Sequence, residues 1–375
     1  MIKTIFIIIT AIHGLIHTLG FVKAFNFTKV EQLVIPISRP LGALWLLSAI
    51  LFLFSAFAFA TSKSWWGFVV IPAILLSQIL IILSWSDARF GTIPNIIILL
   101  VAVVSIGSFF IQNQFELEAK ADLSNNNIQT SELLSENDIA HLPAPVQKYL
   151  RYTGAIGKSK PQNIYIEFEA EMYKKPGDKP MKAHSIQYNF YGNYSRYFLM
   201  KASQSGIPFS ALHVYKNNQA SFQVKVGELF KIVNIKDEEL TKAETVTLLN
   251  DMCIFAPGSL VDKRLSWKEI DSISAKVTLT NGKYVVSAML CFNELGELVN
   301  FVSDDRSALQ DDGTQKQVRW TTPVSHYKEF EERRVPTVGK TIWNYPEGDF
   351  MYGAFNLKSI KYNVNEKNLK NEIHP

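Results

Sequence analysis

The pattern of hydrophobic positions divides the chain into two parts with different periods. Four stretches without a formal charge fill the first third, and each is long enough to cross a bilayer: Thr4 to Val22, Leu41 to Ser62, Ser64 to Ser86 and Phe90 to Phe115. A hydrocarbon core of about 30 Å needs about 20 mostly apolar helical residues, and lipid offers no partner to an unpaired backbone group. The pattern therefore predicts four transmembrane helices within residues 1–112.

In the rest of the chain the period becomes two, which predicts β-strands. From Ile164 to Met172 every second residue is apolar, and glutamate or tyrosine stands between; this alternation is typical of a half-buried strand. Asn281-Gly282 lies between two apolar runs and predicts a tight hairpin in a three-stranded meander over residues 275–303. Further strands are predicted at 185–202, 211–215, 221–226, 229–235, 341–345 and 354–364.

Helical signals are few after the membrane part. One short helix is predicted over Pro145 to Tyr152. A capping box of Thr241 and Glu244 predicts the start of a second, and Pro257-Gly258 its end. The expected fold class is α+β: a four-helix transmembrane bundle followed by a curved antiparallel β-sheet domain with a few helices.

The domain boundaries follow from the same pattern. Polar residues with scattered acids fill 113–137 and predict a tether that is not packed. A β-rich soluble domain is expected over residues 138–366, followed by a tail at 367–375.

The formal charge separates with the hydrophobic pattern. Residues 1–112 hold six basic and two acidic residues, so the net charge of +4 belongs to the membrane part and the remainder is neutral. A neutral soluble domain lacks the positive surface that nucleic acid requires, so no nucleic-acid partner is expected.

The short loops indicate the orientation in the membrane. With the N-terminus outside, the inner loops hold four basic residues and the outer segments three, and the positive-inside rule then places the soluble domain outside the cytoplasm.

Two histidines in the first apolar stretch share one helical face. His13 and His17 are four residues apart, and ionisable side chains at membrane depth commonly face a partner or a cavity. One interpretation is a polar or metal site. The other is that each ring hydrogen-bonds to a neighbouring helix, through Ser77, Gln78 or a backbone carbonyl, and fixes the packing.

Asp87 and Arg89 extend this membrane polar cluster into a tight loop. An ion pair between them that fixes the turn is one interpretation, and a contact with a lipid headgroup or substrate is the other. Cys253 and Cys291 show no metal-ligand spacing. Two buried free thiols are expected, and a disulfide between them in an oxidising compartment is the alternative.

The most motif-like stretch of the soluble part holds Arg334, Trp343 and Asp349. The functional interpretation places Arg334 and Asp349 at the mouth of the sheet against a ligand, together with Trp343. The alternative is a turn whose geometry Pro336 and Gly339 determine, with Trp343 in the core.

Acidic residues cluster just before this stretch. Asp304, Asp305, Asp311 and Asp312 surround Arg306, and paired acids are compatible with acid–base chemistry or calcium binding. Their spacing matches no calcium loop, which favours a solvated charged loop. Nucleophile and cofactor motifs are missing from the sequence, so no catalytic residue, metal or cofactor is predicted.

Several runs resemble an uncharacterised bacterial family with four membrane helices ahead of a domain of unknown function. They are HGLIHTLGFVKAF (13–25), ISRPLGALWLL (37–47), LSWSDARFGT (83–92), PVQKYLRYTG (145–154) and RVPTVGKTIWNYPEGDFMY (334–352). The resemblance implies a bacterial inner-membrane protein and brings no activity with it. FNELGELVNF (292–301) and HYKEFEERRVPT (326–337) also resemble lipoprotein-carrier-like domains, in which an open sheet wraps a helix and cradles lipid.

Three functional hypotheses follow. The first is a membrane protein whose β-sheet domain binds an apolar small molecule or envelope lipid without turnover. The second is a membrane enzyme or redox protein that uses the histidine pair. The third is a structural or assembly protein that forms homo-oligomers through its helical bundle.

Overall fold

The structure is a computed structural model that describes residues 2–125, 132–204, 206–310 and 313–365. The chain forms two compact units, here called the bundle unit (Met1–Asn113, Gly227–Leu229) and the sheet unit (Gln114–Val226, Phe230–Pro375). The predicted α+β fold class is confirmed: long apolar helices come first, and a large antiparallel sheet with a few helices follows.

The bundle unit contains the apolar helices. These are α1 (Ile2–Ala24), α2 (Arg39–Ala60), α3 (Trp66–Leu83), the short α4 (Trp85–Ala88) and α5 (Thr92–Asn125), which continues into the sheet unit. Four segments are long and apolar enough to cross a membrane: α1, α2, α3 and the stretch from α4 through α5. This is consistent with a membrane protein.

Helix α5 extends further than the sequence predicts. Residues 113–125, expected as the start of a polar tether, are helical, because Phe115, Ala119 and Leu123 recur at four-residue spacing and are buried. The ring of Phe115 lies 5.7 Å from that of Tyr188 in the sheet unit. The middle of the predicted tether, residues 126–131, and the tail at 367–375 lie outside the described residues.

Helices α1 and α2 pack closely through small residues. A Cβ atom added to Gly20 would lie 2.3 Å from the ring of Trp45, and one added to Gly14 would lie 2.9 Å from Cβ of Phe52. Ile12 and Ile16, at other positions of α1, are exposed. Small residues let helices approach when lipid removes the hydrophobic drive for association.

The sheet unit is built on thirteen antiparallel strands. Their order is β6-β5-β4-β3-β2-β1-β15-β14-β13-β10-β9-β8-β7, and the short β11 and β12 form a separate hairpin. The strands are β1 (Asn163–Met172), β2 (Met181–Phe190), β3 (Ser195–Gln204), β4 (Ile207–Lys216), β5 (Gln219–Val226), β6 (Phe230–Ile235), β7 (Leu265–Asp271), β8 (Ser274–Asn281), β9 (Tyr284–Phe292), β10 (Leu298–Ser303), β11 (Ser307–Leu309), β12 (Gln315–Gln317), β13 (Arg319–Phe330), β14 (Arg333–Tyr345) and β15 (Gly348–Tyr362).

One helix joins the two edges of this sheet. The chain runs outward from β1 to the edge strand β6, crosses through α8 (Glu238–Phe255), and continues from the other edge strand, β7, back to β15 beside β1. The short helices α6 (Glu136–Ile139) and α7 (Ala144–Tyr152) precede β1. This connection makes α8 the central helix of the sheet unit.

Several sequence-based boundaries change in the structure. The run 185–202 is two strands, β2 and β3, because Tyr191 to Tyr194 form a turn. Helix α8 begins one turn before the predicted capping box, because the side chain of Asp237 accepts a hydrogen bond from the Leu240 amide at 2.7 Å. The Asn281-Gly282 hairpin and the meander over 275–303 are confirmed.

The close approach of α1 and α2 gives a direct test of the bundle packing. We expect Gly20→Leu to lower the thermal midpoint of the detergent-solubilised protein, because the new side chain must displace Trp45. Ile16→Phe adds volume on the exposed face of α1 and is the matched control, with little change expected. Helix-specific circular dichroism on heating measures both, and an unchanged midpoint for Gly20→Leu would contradict the packing.

Candidate functional site

A cavity of about 440 Å³ lies in the sheet unit between α8 and the strands. This volume is in the range of small-molecule sites, about 300–1,000 Å³. Most of its lining is apolar or aromatic. The apolar lining residues are Phe168, Met172, Phe198, Met200, Ala211, Phe222, Ile235, Leu240, Ala243, Ile254, Phe255, Leu309, Trp320, Val324, Trp343, Tyr352 and Phe355.

The helix contributes a polar stripe to this cavity. From Ala243 to Ile254 every residue of α8 is buried, yet the residues that line the cavity include Glu244, Thr247 and Asn250. These positions recur at a spacing of three, and Asp251, which also lines the cavity, follows Thr247 by four, as one face of a helix requires. Helix α8 is therefore amphipathic although it is enclosed, and its polar face is turned to the cavity.

Arg196 on β3 connects this polar face to the sheet. Its Nε donates to Asp251 Oδ2 at 2.8 Å, and one terminal nitrogen donates to Glu244 Oε2 at 3.1 Å. The other terminal nitrogen donates to Gln187 Oε1 at 3.0 Å, while Asp251 also accepts from the amide group of Asn189 at 3.0 Å. The guanidinium and both carboxylates are thus paired although all three are buried.

The electrostatics of this network keep the charges in place. Burial disfavours the charged form of Glu244, but the neighbouring His213 ring and the Arg196 guanidinium outweigh it and lower the pKa of Glu244 to about 2. His213 Nδ1 lies 3.2 Å from Glu244 Oε1, although the pair does not meet hydrogen-bond geometry. Glu244 and Asp251 together raise the pKa of Arg196 against the effect of its burial.

Aromatic side chains from adjacent strands form the wall beside His213. Phe198, His213 and Phe222 are direct cross-strand neighbours on β3, β4 and β5. The His213 ring stacks on Phe222 with centroids 4.0 Å apart. Such a row presents a continuous apolar surface to the cavity.

Arg306 is another charged residue of the cavity lining; it lies among aromatic rings, and its charge contributes to the lowered pKa of Glu244. Its guanidinium carbon is 4.2 Å from the centroid of the Trp320 ring and 5.4 Å from that of Trp343. Trp320 Nε1 donates to the hydroxyl of Tyr352 at 3.1 Å, and Tyr352 stacks on Trp343 at 5.7 Å. These contacts hold the arginine side chain against the cavity wall.

The three residues predicted as a ligand site are placed differently from one another. Trp343 lines the cavity. Arg334 lies over the ring of Tyr152, 5.4 Å from its centroid, and Asp349 accepts a hydrogen bond from Asn344 at 2.8 Å across the β14–β15 hairpin. Neither of these two lines the cavity, and the stretch with Pro336 and Gly339 is strand rather than turn.

The histidine pair of the bundle unit is hydrogen-bonded to protein groups. His13 Nε2 donates to Asn95 Oδ1 at 2.9 Å, and His17 Nδ1 donates to the backbone oxygen of His13 at 2.8 Å. His17 Nε2 pairs with the Ser77 hydroxyl, also at 2.8 Å, and Asn95 in turn donates to Gln78 at 3.1 Å. The packing interpretation is the one with which these contacts agree.

Asp87 and Arg89 contact different partners. Asp87 Oδ2 accepts from the backbone amides of Val34 and Ile35 at 2.6 and 2.8 Å. The carboxylate therefore binds the loop between α1 and α2, and it does not pair with the guanidinium of Arg89. Arg89 lies over the ring of Phe90 at 5.1 Å. The expected intraloop ion pair is replaced by these contacts.

Metal and thiol chemistry find little support in the described ranges. No group of three or more His, Cys, Asp and Glu within them could hold a metal ion. Cys253 and Cys291 are free thiols, and burial raises the pKa of both, which suppresses thiolate reactivity.

Sequence reasoning missed the charged residues of the cavity. Arg306 was assigned to a solvated loop with its acidic neighbours, of which Asp311 and Asp312 lie outside the described residues. The sequence places Glu244 in a helix cap, whereas it lies nearly two turns inside α8. The spacing of Glu244, Asn250 and Asp251 is a usable signal, because polar residues repeat on one face of a helix that the strands must enclose.

Comparisons with known proteins match the sheet unit. The model of DUF6544, a family of unknown function, matches residues 132–355. A LolA superfamily protein from Nitrosomonas europaea is 10% identical over 60% of this chain and 96% of its own, with a TM-score of 0.33. A domain described as an outer membrane lipoprotein-sorting protein from Vibrio parahaemolyticus is 8% identical over 61% of this chain and 96% of its own, with a TM-score of 0.32.

These two structural likenesses are weak, and no functional argument rests on them. No curated protein matches the chain. The family match lies beyond the four apolar helices, so the resemblance of residues 13–92 to a family of membrane proteins stays a prediction.

The lowered pKa of Glu244 predicts a specific dependence of stability on pH. A carboxylate with an unfolded pKa near 4.3 and a folded pKa of about 2 stabilises the fold above about pH 4.3. That contribution is lost as the pH falls toward 2. We expect it to amount to roughly 2–3 kcal/mol, and Glu244→Gln to lack it.

Urea unfolding of the sheet, followed by circular dichroism between neutral pH and pH about 2, measures this difference. Glu329→Gln changes an exposed glutamate on β13 and is the matched control, which should retain the slope of the unsubstituted protein. Equal slopes for Glu244→Gln and Glu329→Gln would show that the Glu244 carboxylate is not stabilised in the folded state.

Proposed function

This chain belongs to DUF6544, a family of unknown function, and we propose a function from its cavity. The sheet unit binds a ligand with a long apolar part, such as a membrane lipid or an apolar small molecule. The observation that carries the proposal is a cavity of about 440 Å³ with a largely aromatic and aliphatic lining inside a well-packed unit. The cavity is partly open to the exterior. A cleft of this size with a largely apolar lining is typical of a ligand site.

The way in which the cavity is kept open supports the same proposal. Arg196 ties Glu244 and Asp251 of α8 to β3. An apolar helix face could settle against the strands, whereas these hydrogen-bonded charges hold α8 at a fixed distance. Phe198, Met200 and Phe355 then remain turned toward the open space.

We further propose that the chain is a bacterial inner-membrane protein with its sheet unit outside the cytoplasm. The four apolar segments supply the anchor, and the small excess of Lys and Arg in the loops Lys23 to Arg39 and Trp85 to Thr92 supports this orientation. The envelope would then supply lipid on the side of the sheet unit.

The two other hypotheses have less support. Catalysis or redox chemistry at His13 and His17 would need ring nitrogens available to a ligand, and three of those nitrogens already contact protein atoms. An assembly role through a homo-oligomeric bundle stays a prediction, which the mass of the detergent-solubilised protein would test.

Photolabelling tests ligand binding in the intact protein. Membranes that contain the full chain are incubated with a long-chain fatty alcohol carrying a diazirine, and the labelled peptides are identified by mass spectrometry. We expect labels on the cavity-lining strands β3, β4 and β5. Ala211→Phe places a ring in the space that the ligand would occupy, and an overpacking penalty of about 1–3 kcal/mol on the bound state corresponds to roughly 5- to 150-fold weaker labelling.

Ala354→Phe is the matched control, because Ala354 is a strand residue that does not line the cavity. It should leave the labelling of β3 to β5 unchanged. Labels spread evenly over the surface, or equal labelling of both variants, would argue against a binding cavity.

Cysteine labelling tests the proposed orientation. Asp178→Cys introduces an exposed thiol between β1 and β2, and Lys29→Cys introduces one between α1 and α2. In intact cells with a permeable outer envelope, a membrane-impermeant maleimide should label Asp178→Cys, and Lys29→Cys should react only after lysis. The reverse pattern would place the sheet unit in the cytoplasm.

A further inference from the structure

Arg306 is the charged residue of the cavity that the hydrogen-bond network leaves out. Arg196 is bonded to two carboxylates and an amide. By contrast, the Nε atom of Arg306 is buried without a hydrogen-bond partner. The guanidinium lies over Trp320 and beside Trp343 at the cavity wall.

The acidic residues next to Arg306 in the sequence are engaged elsewhere. Asp304 accepts a hydrogen bond from Arg319 Nε at 2.8 Å. Asp305 lies 3.3 Å from the ammonium group of Lys242 and accepts from the backbone amide of Ser287 at 2.8 Å. In the described ranges no carboxylate forms an ion pair with Arg306.

This arrangement leaves a guanidinium prepared for an anion. Aromatic faces attract the cation by about 0.5–2 kcal/mol, but they do not satisfy its five N–H donors. A buried donor without an acceptor costs about 1–3 kcal/mol. An oxyanion beside the guanidinium would satisfy several donors at once, in the paired geometry that arginine favours.

We propose that Arg306 binds the anionic head group, a carboxylate or a phosphate monoester, of a single-chain amphiphile whose apolar tail fills the cavity. This inference rests on the proposed function and adds the chemical class of the ligand. Ser307 and Gln315 also line the cavity, and their side chains already donate to Glu239 and Asp237 at 3.1 and 2.8 Å, so Arg306 carries the head-group contact.

The tail has a separate apolar surface. Phe198 and Met200 form a small buried cluster with partly buried Met172, Ala211 and Phe355 beside it, and all five line the cavity. Van der Waals contact with this surface gives affinity without selecting a particular chain. The head group would therefore determine which amphiphiles bind best.

The carboxylates of the cavity do not remove this preference. Both Glu244 and Asp251 are bonded to Arg196, and the amides of Gln187 and Asn189 also donate to Asp251, at 2.7 and 3.0 Å. Glu244 is close enough for the Arg306 charge to contribute to its lowered pKa, but it forms no ion pair with Arg306. An oxyanion bonded directly to the Arg306 guanidinium would therefore be attracted by it more strongly than it is repelled by Glu244.

Three photoactivatable probes with the same chain test the proposal: a fatty acid, an alkyl phosphate and a fatty alcohol. The measured quantity is the half-saturating concentration for labelling the cavity-lining strands in the full-length protein. A charge-assisted hydrogen bond contributes about 1.5–3 kcal/mol, so we expect Arg306→Gln to raise this concentration roughly 10- to 100-fold for the preferred anion. The value for the alcohol should change less than about threefold.

Each variant is compared with the unsubstituted protein for the same probe, which cancels differences in membrane partition. Arg319→Gln is the matched control, because it removes an exposed arginine that pairs with Asp304; it should leave all three values unchanged. For each anionic probe, the half-saturating concentration of Arg306→Gln is divided by that of the unsubstituted protein. The anion with the larger ratio is the preferred head group, which distinguishes a carboxylate from a phosphate.

The possible failures are distinguishable. Equal weakening of all three probes by Arg306→Gln, or no weakening of either anion, overturns the head-group role while alcohol labelling of the unsubstituted protein upholds the cavity. If none of the three probes labels the cavity of the unsubstituted protein, the proposed function fails together with this inference. Preserved alcohol labelling in Arg306→Gln shows that the variant is folded.

Discussion

The ion pairs of Arg196 with Glu244 and Asp251 are the contacts on which the architecture of the sheet unit depends. A helix enclosed on every side from Ala243 to Ile254 can retain charged side chains only where partners are available. Arg196 supplies those partners from β3. A buried ion pair adds little net stability compared with apolar packing, but it penalises any arrangement that separates its members. Its effect here is to fix where α8 stands against the strands.

That position follows from the topology and in turn produces the cavity. Because β6 and β7 are opposite edges of the sheet, the connection between them must cross a sheet face, and α8 makes the crossing. Its other side, with Leu248, Leu249 and Met252, belongs to the main hydrophobic core. One side of the helix is thus packed, and the other is held off the strands by charged groups. The aromatic rows of the sheet remain uncovered where the polar side faces them.

The sequence predicts the helices and strands of this structure better than it predicts the contacts between them. The apolar spans follow from the membrane constraint on backbone hydrogen bonds, and the strands with the Asn281-Gly282 hairpin follow from local alternation and turn chemistry. The start of α8 was missed because both Asp237 and Thr241 fit a helix cap, and only the observed bond from the Leu240 amide decides between them. The site depends on contacts across long separations, such as Arg196 with Asp251, which no local pattern contains.

Buried polar side chains differ in how fully they are satisfied, and this difference separates His17 and Arg196 from Arg306. In the bundle unit, His17 forms hydrogen bonds through both ring nitrogens to atoms of the protein. Its ring therefore fixes contacts between helices. In the sheet unit, Arg196 donates from all three of its guanidinium nitrogens to protein groups and is best understood as structural. Arg306 is held by rings that leave its Nε donor unpaired. Since native proteins rarely leave a buried donor unmet, the acceptor is best sought in a ligand, and the aromatic surface beside it indicates the apolar remainder of that molecule.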